Sequence, residues 1–572
     1  MDKRRNCILF AKQFIHFFGI YFVLKKIKTF NPISQLFIII IMKNNQQITF
    51  KKPFGNALLM SVMAVLAAFM TSCGGGTSSA PQHVKLIPKN AAIVVAFDVK
   101  QMVGKSVSFE DLFSQKSLEA MGSSEKEAKE GANDAKKFMN SGIDYLNIGY
   151  AFSEGKSKDD FMIAMPLDDA GKFEKFLKAE KSEVKTEGKI KYATYKKDDG
   201  VGFVAWKDKN AIIFLSKKGD EASFKTRAAA LLELKDDQTL LATNKSFAKA
   251  LGNKADIQLW VDSEKYAKMQ GEETEIQGIS LKDNFAAIAV KFEKGEVIID
   301  GDSEMSPSIR KMYEKIFKAE GIDSKLSKNV PIKKPAILIS IALNLKGIKE
   351  IMQERGVLAM ADDNLKKNGT SVDEIISVFS GDIMILAENV NFTNLDAIKA
   401  MASVGLNDEK AFDAMIMKIS KGQVKKTGNT YSAEGAPAGM VVKDGVAYVA
   451  TENYIEGIKK GTSNLESDMV KLAKENCFAM YGDESIAKDL PNNDMKATTD
   501  IFANMMIKSG SLKDEKGEML IRMKDKSKNS LLVIVEAIKN APKTKKKPRR
   551  EETEDDVPPP IEETIQEPAK QQ

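Results

Sequence analysis

The sequence predicts an α+β fold of two tandem similar repeats, each an antiparallel sheet with helices packed on one face, and a disordered C-terminal tail. Three observations predict it. Short apolar runs of strand length alternate with turn signals. An amphipathic helical stripe precedes the hairpin runs. Short segments of the first half recur in the same order in the second.

The recurrence is the strongest of the three. Ala92–Ala96 returns as Ala336–Ser340, and Leu167-Asp168-Asp169 with Phe173 returns as Leu406-Asn407-Asp408 with Phe412. Tyr195 pairs with Tyr431, and Lys207-Asp208 with Lys443-Asp444. Trp260-Val261-Asp262 pairs with Tyr481-Gly482-Asp483, and Glu293–Glu296 with Glu515–Glu518. The offset drifts from 244 (Ala92 to Ala336) to 222 (Glu293 to Glu515), as loop insertions and deletions would make it drift. Repeat one is placed at 84–325 and repeat two at 326–541.

Within each copy, Ile93–Val99 and Ile337–Leu343 are strand-length apolar runs. Tyr192–Tyr195, Gly202–Trp206 and Ala211–Ser216 read as hairpin strands, with Ala438–Val442 and Val446–Thr451 in copy two. Phe412, Met415, Ile416 and Ile419 form one helical stripe, with Asn407 and Asp168 as N-cap candidates. Gly295–Ile299 and Gly517–Ile521 open further strands. Ser123–Lys137 reads as a solvated helix or loop, and the 27 methionines as core filler.

The chain has 572 residues, 43% of them hydrophobic, which exceeds one domain and excludes wholesale disorder. Its net charge of +7 belongs to the N-terminal leader. Residues 1–41 carry seven Lys/Arg against Asp2, and 42–72 carry three lysines, which leaves 73–572 at −2. A nucleic-acid partner is therefore not expected. The two histidines, His16 and His83, read as lying outside the folded body. No His-dependent hydrolase or His-ligated metal centre is expected, and no catalytic, cofactor-binding or metal residue is assigned.

From Met42 the chain reads as a lipoprotein signal. Lys43, Lys51 and Lys52 precede the apolar run Ala57–Met70, and Thr71-Ser72-Cys73 follows. The run is too short to cross ~30 Å of hydrocarbon comfortably. Small residues before a cysteine at the end of such a run make Cys73 the expected lipidation site, with 42–72 the signal peptide. Two or more acyl chains on Cys73 would give a stable anchor. Residues 73–83 read as a flexible tether. Residues 1–41 read as an extension ahead of the true start at Met42; the competing reading makes Ile8–Leu24 and Ile33–Met42 membrane segments. The mature chain would keep Cys73 and Cys477, so no intrachain disulfide is expected, and Cys477 reads as a buried inert thiol. The tail, 542–572, places Lys543–Arg550 beside Glu551–Asp556 and a triple proline, with no apolar period.

Two motifs that suggest chemistry fail on spacing. Gly149–Ser157 has five residues between its glycines where a phosphate loop needs four. Asp300–Glu304 clusters carboxylates without the spacing of a calcium loop and reads as a solvated turn. Other carboxylates would have to be gathered by the fold.

The lipobox Thr71-Ser72-Cys73, the opening Ile87–Val95 and the following Asp98–Met102 resemble an uncharacterised family of Bacteroidales lipoproteins, domain of unknown function 4836. The resemblance implies a cell-envelope, outer-membrane lipoprotein with no assigned activity and no catalytic residues. The absence of acidic residues in Gly74–Val84 points to the periplasmic face. The expected role is a non-enzymatic binding or scaffold module, attached to membrane through its lipid and meeting an envelope protein or glycan. The alternative is an envelope hydrolase using carboxylates at the interface of the repeats.

Overall fold

The computed structural model describes residues 81–540 apart from 106–107, 121–124, 156–159, 198–199, 217–219, 277–278, 368, 390–397, 437, 486–499 and 510–515. Cys73, the leader and the charged tail lie outside the described residues.

The strands of the first half are β1 (Ile93–Asp98), β2 (Ile148–Ser153), β3 (Asp160–Pro166), β4 (Glu183–Glu187), β5 (Ile190–Lys197), β6 (Gly200–Lys207), β7 (Asn210–Ser216), β8 (Ile257–Asp262), β9 (Glu275–Ile276), β10 (Ile279–Ser280), β11 (Phe285–Glu293) and β12 (Glu296–Glu304). Those of the second are β13 (Ile337–Ala342), β14 (Phe379–Asn389), β15 (Lys399–Leu406), β16 (Val424–Thr427), β17 (Thr430–Ala433), β18 (Ala438–Lys443), β19 (Val446–Thr451), β20 (Phe478–Asp483), β21 (Phe502–Ser509) and β22 (Lys516–Met523). β9 and β10 form a separate hairpin.

The other twenty strands form one antiparallel sheet. From its centre, one half runs β12, β11, β8, β1, β2, β3, β7, β6, β5, β4. The other runs β22, β21, β20, β13, β14, β15, β19, β18, β17, β16. β12 and β22 join the halves. Among the described pairings β4 and β16 each have one neighbour, so both are edges. Both carry lysines, which discourage pairing with another chain. The expectation of a separate sheet in each repeat is thus corrected: the two sets of strands are continuous. The sequence shows no local signal for that pairing, because strand partners 200 residues apart leave no periodicity.

Helices cover both faces, not one. Phe224 and Phe247, on helices Glu221–Leu232 and Lys245–Gly252, share a core with Val94, Phe203 and Trp260. Phe173 of helix Ala170–Ala179 packs with Trp206, Val204 and Phe97, which point the opposite way. Ile163, Val204 and Ala211 belong to one core and Met162, Phe203 and Ile212 to the other, so the strands are buried on both sides. Their near-continuous apolar runs were the available signal. The second half has its own pair of cores, around Leu338 and Tyr448 and around Phe379 and Phe412.

Local readings fare better. The hairpin β18–β19 turns on Asp444 (φ 53°) and Gly445 (φ 71°), the left-handed pair a two-residue turn requires. The helical stripe of Phe412 and Met415 lies on helix Glu409–Ser420. Its N-cap is Asp408, not Asn407: the Asp408 carboxylate accepts from Ala411 N at 2.9 Å. Asp169, not Asp168, caps the matching helix and accepts from Gly171 N at 2.8 Å and Lys172 N at 2.9 Å. Asn407 instead donates to Phe379 O at 2.8 Å. The described part of 123–137 lies on helix Glu125–Met139, which buries Ala128 and Ala135 on one side and keeps Lys126, Lys129, Lys136 and Lys137 exposed.

His83 corrects another expectation. It is buried, sits in the short helix Gln82–Leu86, bonds through its ring nitrogen to Ile148 O and lies 5.2 Å from the Tyr150 ring. The end of the supposed tether is therefore part of the body. The tract Val84-Leu86-Ile87, wholly or nearly buried, draws it in.

Candidate functional site

The side chains of cross-strand partners point to the same face, so register can be followed across the middle of the sheet. One row reads Ile385, Ile339, Met480, Ile507, Met519, Ile299, Val290 from β14 to β11. A neighbouring row reads Ile341, Phe478, Ser509, Gly517, Gly301, Ile288, Leu259 from β13 to β8. Ile385 is 41% exposed and the rest of both rows is partly exposed. Leu259, Ile288, Met519, Ile507, Phe478, Met480, Ile339 and Ile341 join none of the buried cores described above. The helical covers lie to either side of them. In the first half, helix Ser530–Asn540 closes over Phe292 and Val297 with Leu531, Val533 and Val535. In the second, helix Val372–Val378 and helix Glu409–Ser420 share a core with Phe379, Val404, Leu406, Val442 and Ala447, which lie from β14 outward. Val290 and Ile299 pack against the first-half core, so among the described residues the apolar strip left open between the covers is seven strands wide in the second row and five in the first.

The opposite face at the junction sets ion pairs beside the apolar row Ile298, Leu520, Met506. Asp300 and Glu518 are register partners there. Lys291 donates to Asp300 at 2.6 Å, Lys508 lies 2.8 Å from Glu518, and Arg522 lies 3.7 Å from Glu296. Lys249 reaches Asp302 at 2.8 Å. The Asp300–Glu304 cluster is therefore a strand with paired charges, not a turn. The fold does bring carboxylates to the interface of the halves, each beside a cation.

A buried carboxyl stands apart. Asp256, fully buried, accepts from Phe292 N at 2.5 Å through Oδ2, while its Oδ1 has no partner. Burial pushes its pKa up to about 7 against the opposing hydrogen bond. Lys105 donates nearby to Phe292 O at 2.6 Å and to Glu293 at 3.3 Å. Cys477, in the position before β20 that Asp256 holds before β8, is buried with its sulfur 3.3 Å from Ser509 Oγ.

A shallow groove of about 900 Å³ lies over Pro88–Asn90, Glu154 and the helix bearing Arg227. Its base is closed by the Arg227–Glu154 pair at 2.5 Å. Among the described residues, no three His, Cys, Asp or Glu side chains are placed to hold a metal ion, and no helix is long and apolar enough to cross a membrane. Gly149–Ser153 of the rejected phosphate loop lies in β2. The open strip was not read from the sequence; its signal was the apolar residues at alternate positions, Ile337, Ile339 and Ile341 in β13, Met505 and Ile507 in β21, and Met519, Ile521 and Met523 in β22.

No curated protein matches the chain. Solved structures of TP0453 are similar in part. Crystal form III shares 10% identity with a TM-score of 0.25, over 43% of this chain and 91% of that one. Crystal form IV shares 12% with a TM-score of 0.24, over 42% and 87%. The family described as Domain of unknown function (DUF4836) matches residues 83–434, from the buried His83 through β17, and the chain belongs to that family.

Proposed function

We propose that the protein is a lipid-anchored cell-envelope binding or scaffold module, tethered through Cys73 at the periplasmic side of the outer membrane and built of two similar repeats. The observation that carries the binding role is the open apolar strip, which draws side chains from both halves. Exposed apolar patches mark protein, membrane or ligand interaction sites. The interface carboxylates, which a hydrolase would use, are each held beside a cation.

The duplication is supported by the matching strand order outward from β12 and β22. It is supported also by recurring backbone bonds. Ala92 N donates to Ser153 O at 2.8 Å and Asp262 N to Ala92 O at 2.9 Å; Ala336 N donates to Ala387 O at 2.7 Å and Asp483 N to Ala336 O at 2.9 Å. Ala92 and Ala336 stand 244 apart and Asp262 and Asp483 stand 221 apart, the offsets that the sequence motifs have.

The test is capture from solubilised envelope with wild type and Cys73→Ala. The expected result is membrane fractionation and an envelope protein or glycan partner with wild type, and neither membrane retention nor partner with the variant. Membrane retention by Cys73→Ala, or turnover of envelope glycans that Asp300→Asn abolishes, would overturn the proposal.

A further inference from the structure

We infer that the open face holds one long hydrocarbon chain, laid across the strands over the Gly301–Gly517 pair; this rests on reading that face as a binding surface. The two glycines are register partners on β12 and β22. Glycine within a strand weakens the sheet and often marks close approach by a ligand or another backbone. The fold itself does not require either one. Among the described residues, a Cβ at Gly301 would come no nearer than 3.6 Å, to Gly517 O, and one at Gly517 no nearer than 3.8 Å, to Lys508 O, both ordinary contacts. Neither residue has positive φ. Gly381 shows the contrast: a Cβ there would lie 2.1 Å from Leu343 O.

The missing side chains leave a trough between Ile288 on one side and Phe478 on the other. These two stand four strand steps apart, ~19 Å, about the length of an extended long-chain acyl group. The one polar side chain of this row, Ser509, directs its hydroxyl to Phe478 O at 3.3 Å. The trough therefore presents no charge or amide to a ligand.

Area and chemistry select the occupant. The open strip measures roughly 29 Å by 7 Å in the second row and roughly 19 Å by 7 Å in the first, or about 340 Å² together. That is less than half of the ~800 Å² per partner that a stable protein interface buries, so a protein partner would have to extend beyond the strip, while a single hydrocarbon chain fits within it. A peptide strand would bring backbone groups that nothing here can satisfy. A hydrocarbon chain brings none and gains by leaving water.

The test uses the full chain carrying Cys73→Ser, so that it has no acyl group of its own, and cis-parinaric acid, a fluorescent long-chain fatty acid. Saturable binding of one probe per chain, displaced by palmitate, is expected. Gly301→Val with Gly517→Val should lower probe affinity at least tenfold without lowering Tm; if that pair fails to fold, Gly517→Ala carries the test. Ile298→Val, on the other face, should leave affinity unchanged. Absence of saturable binding, wild-type affinity in the folded glycine variants, or a dimer in light scattering that those variants abolish would overturn the inference. Its failure with Cys73-dependent capture intact would overturn the ligand class alone.

Discussion

Ile298 of β12 and Leu520 of β22 face one another across the junction of the two halves. They are 222 residues apart, the offset that also separates Glu296 from Glu518. Under the proposed duplication each is the other's counterpart, as at an interface related by a twofold axis.

This pairing makes the junction sensitive to proline. Leu520→Pro removes an N–H from the centre of the sheet and places a ring in the ladder. We predict a loss of about 3 kcal/mol or more in urea unfolding, with new proteolytic cleavage near β22. Unchanged unfolding would mean that β12 and β22 are not paired in solution.

Asp256 predicts a pH dependence of one sign. Its folded pKa of about 7 lies above the ordinary 3.8, so the native state holds a proton that the unfolded chain has lost. Stability should fall as pH rises from about 4 to about 7, then level off. Asp256→Asn should remove that slope and raise stability at pH 8 by about 3 kcal/mol. Chemical denaturation across this range checks it; a parallel slope in the variant would contradict it.

His83 predicts the opposite sign. Burial lowers its pKa below 6.5 despite the bond to Ile148 O. The unfolded chain then takes up a proton that the folded one refuses, so stability should decline as pH falls below about 6.5. His83→Phe should flatten this acid limb, measured by the same titration, at the cost of the bond to Ile148.

The caps can be checked by substitution. Asp169→Ala and Asp408→Ala should each cost about 1 kcal/mol. Asp168→Ala should cost less than its neighbour. Thermal unfolding that reverses the order of Asp168 and Asp169 would contradict the assignment.

Much of the local structure was legible. The β18–β19 turn and the Phe412 stripe each rest on short-range chemistry that a sequence displays. Assigning the caps one residue early reflects the two adjacent polar residues, Asp168-Asp169 and Asn407-Asp408, either of which can serve. His83 was misplaced because its burial depends on Tyr150 and Ile148, more than sixty residues away. The open strip was hidden for a related reason. Ile339 and Met519 alternate in the same way as buried strand residues, and only the path of the helices decides which alternating face stays uncovered.

The most direct measurement is photo-crosslinking in intact cells with benzoylphenylalanine placed at Met480 or Met519 on the open face, and at Ile298 or Leu520 on the other. Adducts with an envelope component from the first pair alone are predicted. Adducts from the second pair alone, or none from the first, would contradict the assignment of the open face as the binding surface.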